Sequence, residues 1–357
     1  MARRFEVPDY TPGACRAVAA VLAGGVVKGA FECGALEVLV AAGLPITRLV
    51  GASAGALNAL AFASGIARGQ PLGALRDLGS VWANHASASL LQPSLRALAS
   101  GQGLADARPL LDLFREHVRP VEVPVARVEL RVVVAPIAGR WVQTFWDPRG
   151  RTTFETALEF TEEDFHPDRI ERVYLAAAAS AALPGAFSPV ELEDLGPCVD
   201  GGAVDNAPIK HALHGDRPGD LPVDTVLVIT PEPARHVEEH DRVASLRGIE
   251  LAARLADVLI NERLYRDLKE AYEVNRLVCS LRAAPLDDEA RADLLSAIGL
   301  PNAREVKIVE VRPEEALEGH FLSGFFAPEL RIQYLAQGRD AALRVLPTLR
   351  RDSAVSV

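Results

Sequence analysis

"ITRLVGASAGALNALAFASG" (residues 46–65) decides how the chain is read. Residues 46–50 form a short strand pattern, and residues 53–65 a helix pattern with small and apolar faces. Between them Gly51-Ala52-Ser53-Ala54-Gly55 fits G-x-S-x-G, which gains meaning from a strand before it and a helix after it. A sharp turn there lifts the serine hydroxyl to the top of a sheet. Side chains two residues before and after the serine would meet neighbouring backbone, so Gly51 and Gly55 suit both places. The helix that follows points N–H groups and its positive end at the same spot.

Upstream lies "AVAAVLAGGVVKGAF" (17–31). Residues 17–23 are a continuous apolar run, as in a strand buried on both faces. Gly24 and Gly25 end it, and residues 30–43 read as a helix closed by Gly43. Strand, glycine turn, helix, strand, tight turn, helix is a βαβα unit and implies a parallel sheet. Downstream, 71–84 and 107–118 read as helices. The apolar, Ser- and Gly-rich segment 85–105 reads as a mobile cover between them. Residues 128–146 suggest a hairpin around Ala138-Gly139, with Trp141, Phe145 and Trp146 packing on a sheet face. A helix over 169–183 is stopped by Pro184-Gly185. A short strand running into a turn follows over 198–209, and another buried strand over 224–231. A long helix covers 243–278, a late strand 304–313, and a closing helix 327–348.

A net charge of −10 argues against nucleic acid as a partner and gives no general pull toward an anionic membrane. Cys15, Cys33, Cys198 and Cys279 are scattered, without CxxC or His/Cys ligand spacing, so neither a metal site nor a disulfide framework is expected. No cofactor is called for. The run "ARRF" near the start resembles a twin-arginine address, but the apolar run after it reads as the first core strand. The expectation is a cytoplasmic protein: an irregular arm over 1–15, one domain over 16–350, and a tail over 351–357. No oligomeric state is predicted.

A nucleophilic serine needs a base. None of the eight histidines sits in a conspicuous motif at a strand end. Asp200 does: "VDGG" (199–202) sets a carboxylate at a strand tip beside Gly201 and Gly202. An ordinary carboxylate, with a pKa of about 4, is a weak base and must lie within hydrogen-bond reach of the hydroxyl. Cys198 reads as a small buried apolar residue, and Asp205 and Asn206 as turn formers.

Taken together, "LAGGVVKGAFECGALEVL", "LVGASAGALNAL", "AAASAALPGAFSPV" and "VDGGAVDNAPI" resemble the patatin-like phospholipase family over about residues 17–230. The resemblance implies a three-layer α/β fold with a mostly parallel central sheet and helices on both faces. It implies a lipid acyl hydrolase in which Ser53 forms an acyl-enzyme and Asp200 is the general base. Backbone N–H groups of Gly24, Gly25 and Val26 would hold the oxyanion, each donor being worth ~3–4 kcal/mol. Lys28 falls where the family carries a basic residue, locking the loop or favouring a negative head group. The sequence departs from the family once: the third glycine of the loop is Val26, ill suited to a positive φ.

Two other readings compete. One is a Ser-His-Asp carboxylesterase acting on small acyl esters, using His236 or His320. The other is a weakly catalytic member that binds lipid or a protein partner, motivated by Val26. Were the substrate a bilayer lipid, transient contact with the membrane surface through 85–105 is expected.

Overall fold

The computed structural model describes residues 17–91, 93–94, 103–138, 155–213, 223–234, 248–300, 303–320 and 322–350. The proposed arm, the tail, Trp141, Phe145 and Trp146 lie outside these residues, as does the second half of the hairpin expected over 128–146. The architecture is α/β, a central sheet between helical layers. β1 (Val18–Leu22), α1 (Ala30–Ala41), β2 (Ile46–Gly51) and α2 (Ala54–Ala67) are the expected βαβα unit, with Gly43 at φ 80° closing α1. α3 (Pro71–Asn84) and α4 (Arg108–His117) follow.

The segment between α3 and α4 is a short 3-10 turn over Ala88–Leu91 and then β3 (Gly103–Ala105). β3 pairs in parallel with β6 (Gly185–Phe187) in a separate two-stranded sheet. Residues 92 and 95–102 of the expected cover lie outside the described residues. β4 (Glu129–Pro136) runs antiparallel to β5 (Thr156–Thr161) and to β8 (Gly196–Asp200), which also pairs with β7 (Val190–Leu192). α5 (Ile170–Ser180) ends before Pro184. α6 (Ile209–Leu213), β9 (Thr225–Ile229), α7 (Gly248–Ala283), α8 (Asp288–Ala297), β10 (Lys307–Val311), α9 (Ser323–Phe326) and α10 (Pro328–Arg350) complete the described chain.

The main sheet runs β10-β9-β1-β2-β4-β8-β7. Its β10 to β4 portion is parallel, and antiparallel pairing begins where β5 and β8 join β4. β1 is fully buried, and its residues alternate between two apolar layers, as the pleat requires. Val18, Ala20 and Leu22 join a core with α1–α5 and α10, while Ala19 and Val21 face Ala207, Ile209, Leu264 and Leu268 of the opposite layer. Buried charge ties that second layer to the sheet. Arg48 of β2 pairs with Glu129 of β4 at 2.7 Å and donates to the carbonyl of Ala212 at 2.8 Å, and Arg131 donates to the carbonyl of His211. These bonds hold α6, the segment that follows Asp200.

On the outer side α10 lies against α1. Gly338 makes this possible, since a Cβ there would overlap the carbonyl oxygen of Phe31. A Gly338→Ala substitution must separate two backbones and is expected to cost about 1–3 kcal/mol. The check is the denaturation midpoint; one equal to wild type would show that α10 can lift off α1 without loss.

Candidate active site

The G-x-S-x-G turn is as tight as its composition requires. Ser53 sits at φ 53°, ψ −126°, a conformation that non-glycine residues rarely adopt. Gly55 follows as α2 begins, and any side chain on it would overlap the carbonyl of Leu22 in β1. Gly51 has the same constraint against the backbone of Gly55 and Ala56. The Ser53 N–H donates to Ser180 Oγ at 2.9 Å, and that hydroxyl donates to the carbonyl of Val133 at 2.6 Å. Ser180, at the end of α5, therefore clamps the strained turn to β4. Sequence reasoning missed it. The available signal was a lone hydroxyl in the alanine-rich run 176–182.

Strand register brings the far-apart motifs to one level. Leu22 pairs with Gly51, and Gly51 with Val132. Two residues beyond each of the first two lie Gly24 and Ser53. Two beyond Val132, Val134 pairs with Asp200, the last residue of β8. Because β8 is antiparallel to β4, it runs back into the sheet and delivers the carboxylate beside the serine. The Ser53 hydroxyl donates to Asp200 Oδ2 at 2.6 Å. The Gly202 N–H donates to Asp200 Oδ1 at 2.7 Å, and the Asp200 N–H to the carbonyl of Ala182 at 3.0 Å. A side chain at Gly201 would run into the backbone of Val133, and one at Gly202 into Asn206. Asp200 is buried, and among the described residues no cation pairs with it. Burial pushes its pKa up to about 7, against smaller lowering effects from the bonds of Ser53 and Gly202.

The glycine loop lies on the other side of Ser53. A Cβ on Gly24 would stand 2.9 Å from that of Ser53. The Gly24 N–H is already engaged: it donates to Asn206 Oδ1 at 2.9 Å and also approaches the Asn206 carbonyl at 3.3 Å. Of the three donors expected from the sequence, those of Gly25 and Val26 carry no such bond among the described residues. Asn206 thus does more than form a turn, since it tethers the loop. Val26 stands at φ 50°, the left-handed region that penalises a β-branched side chain by roughly 1–2 kcal/mol. Lys28 is buried and sits 3.8 Å from Glu232. It locks the loop to the segment after β9 and is not a solvated lysine. Beneath the loop, Asn58 of α2 donates to the Gly29 carbonyl and to Glu32, both at 2.8 Å, and accepts the Trp82 indole N–H at 2.7 Å.

Ser53 and Asp200 open into a cavity whose walls are apolar, Val26, Leu57, Trp82, Leu90, Leu183 and Phe325 among them. No histidine lines it among the described residues. His236 lies outside those residues and His320 is exposed on the loop before α9. Cys198 is buried and its thiol approaches the carbonyl of Gly196 at 3.5 Å; burial pushes its pKa up to about 11. It is not poised as a thiolate.

Away from the cavity, Glu155, Asp205 and His211 bring ligand-type atoms within 4.8 Å of one another, a grouping that sequence spacing did not suggest. Lys210 already supplies positive charge there, 2.8 Å from Glu155 and 3.5 Å from Asp205. Burial, then the charges of Asp267 and Glu155, push Asp205 up to about 8. Among the described residues no helix is long and apolar enough to cross a membrane.

No curated protein matches the sequence. Solved structures with some likeness include VipD from Legionella pneumophila (12% identity, 95% of this chain and 68% of that one, TM-score 0.47). Another is the type III effector protein ExoU (14%, 96% and 54%, TM-score 0.40). A third is the heterodimeric ExoU–SpcU complex of the Pseudomonas aeruginosa type III secretion system (17%, 96% and 67%, TM-score 0.28). The family model described as patatin-like phospholipase matches residues 20–213, a span that holds the glycine loop, the serine turn and the Asp-Gly-Gly turn. The chain belongs to the patatin-like phospholipase family, a membership that supports lipid acyl hydrolase activity in general.

Proposed function

We propose that the protein hydrolyses carboxylic esters of phospholipids or related acyl lipids, with Ser53 as nucleophile and Asp200 as general base. The observation that carries this reading is the 2.6 Å hydrogen bond from the Ser53 hydroxyl to Asp200, at the floor of an apolar cavity. A direct bond of that length leaves no space for an imidazole between the two groups, which disfavours a Ser-His-Asp relay.

The chemistry follows from the geometry. Asp200 Oδ2 takes the hydroxyl proton as Ser53 Oγ attacks the ester carbonyl carbon. Negative charge moves to the carbonyl oxygen, where the N–H groups of Gly25 and Val26 receive it, aided by the N-terminal end of α2. Collapse of the tetrahedral species breaks the bond to the leaving alkoxide, which takes the proton from Asp200. Water then repeats the sequence on the acyl-Ser53 ester, with Asp200 accepting its proton and returning it to Ser53. The Gly202 N–H holds the other carboxylate oxygen, so the base cannot rotate away. A carboxylate raised to about 7 is also a better base than an exposed one.

Ser53→Ala and Asp200→Asn are each expected to abolish hydrolysis of a chromogenic acyl ester, and full turnover by either variant would exclude the dyad. The acid limb of kcat/KM should fall near pH 7, the value to which burial raises Asp200, and a limb near pH 4 would contradict it as the free base. Folding stability obeys the same linkage. The folded pKa lies above the unfolded one, so the folded state holds the proton more tightly. The resulting stabilisation is full below about pH 4 and lost as pH rises toward 7. Asp200→Asn should therefore melt no lower than wild type at pH 8 while being inactive; a large drop there would mean that the charge stabilises the fold.

Ser180→Ala strips the partner from the Ser53 N–H and the Val133 carbonyl, both buried, and should cost about 1–3 kcal/mol. As a positioning residue it should lower kcat more than it raises KM, with Ser180→Thr restoring part of the loss. An effect confined to melting temperature would limit Ser180 to a structural role.

A further inference from the structure

A second hollow lies next to the one that holds Ser53. The two have five wall residues in common: Leu57, Trp82, Ala86, Leu90 and Leu110. Both lie along one face of α2. Ala54 and Leu57 line the first, and Leu57, Ala61 and Arg68 the second, positions three, four and seven residues apart that fall on one side of a helix. From Ala54 to Arg68 the helix advances about 21 Å at 1.5 Å per residue. The lining stays apolar through Ala61, Leu78, Leu113 and Phe114 until Arg68, Asp77 and His117 end it.

We propose that the second hollow is the distal part of an acyl-chain channel that begins at Ser53 and sets chain-length preference. This rests on the reading of Ser53 and Asp200 given above. An extended alkyl chain with ~1.5 Å bonds gains roughly 1.3 Å per carbon, so 21 Å takes about sixteen carbons. A shorter chain fills the first hollow alone. A longer one would press methylenes against the charged groups at the far end, which costs desolvation. Trp82 is a fixed wall shared by the two parts, because its indole N–H is held by Asn58, whose amide in turn donates to Glu32 and to the carbonyl of Gly29. The channel's bore at this point is therefore tied to the same buried network that supports the loop carrying Val26. Ala61 and Leu113 touch only the distal part, from α2 and α4 respectively.

The test compares kcat/KM for 4-nitrophenyl palmitate and 4-nitrophenyl butyrate in the same detergent for wild type, Ala61→Phe and Leu113→Trp. Wild type should favour palmitate. Each variant should lower the palmitate-to-butyrate ratio at least about tenfold, since several buried methylenes at ~0.8 kcal/mol each lose their place. Two variants from opposite walls guard against one that fails to fold. A ratio unchanged in both, or a wild type that favours butyrate, overturns the channel while leaving the dyad standing. Butyrate hydrolysis that survives Ser53→Ala overturns the dyad, and the channel with it.

Discussion

The site depends on how closely α2 approaches β1. Gly55 places helix backbone against the carbonyl of Leu22 with no side chain between them. That contact brings the serine turn, at the end of β2, up to the glycine loop at the end of β1. Parallel pairing of Leu22 with Gly51 keeps the two turns level. With any larger residue at 55, helix and strand would part and the loop would no longer face the serine. The rest of the fold supports that proximity: a sheet buried on both sides, α10 pressed on α1 through Gly338, and arginines bonding α6 to β2 and β4.

Around this contact the chain accepts several local costs. Ser53 and Val26 both hold positive φ, and Asp200 is a buried carboxyl with no cation beside it among the described residues. Each would relax if its surroundings allowed it. Ser180 prevents this at the turn, Asn206 and Lys28 at the loop, and the Gly202 N–H at the carboxyl. The unfavourable conformations and the groups that enforce them, some of them distant in sequence, are close in space, where strain serves positioning rather than folding.

Much of this was legible in the sequence, for reasons that differ by residue. The strand–turn–helix around Ser53 is local, so its composition alone gives the turn and the two glycines it requires. The parallel frame follows from the order of its elements. Asp200 was legible as a strand-tip carboxylate, but its proximity to Ser53 depends on β8 running against β4, a matter of register across 147 residues. Ser180 and Asn206 act on residues more than a hundred positions away and resemble ordinary alanine-helix and turn residues nearby. The burial of Lys28 depends on Glu232 and was equally hidden. For Val26 the sequence posed the question of a positive φ, and only backbone angles could answer it.

One turn, residues 200–206, carries both the carboxylate that meets Ser53 and the amide that fixes Gly24. The groups on either side of the serine are therefore not independently adjustable. A shift of this turn moves the proposed base and loosens the loop in the same motion.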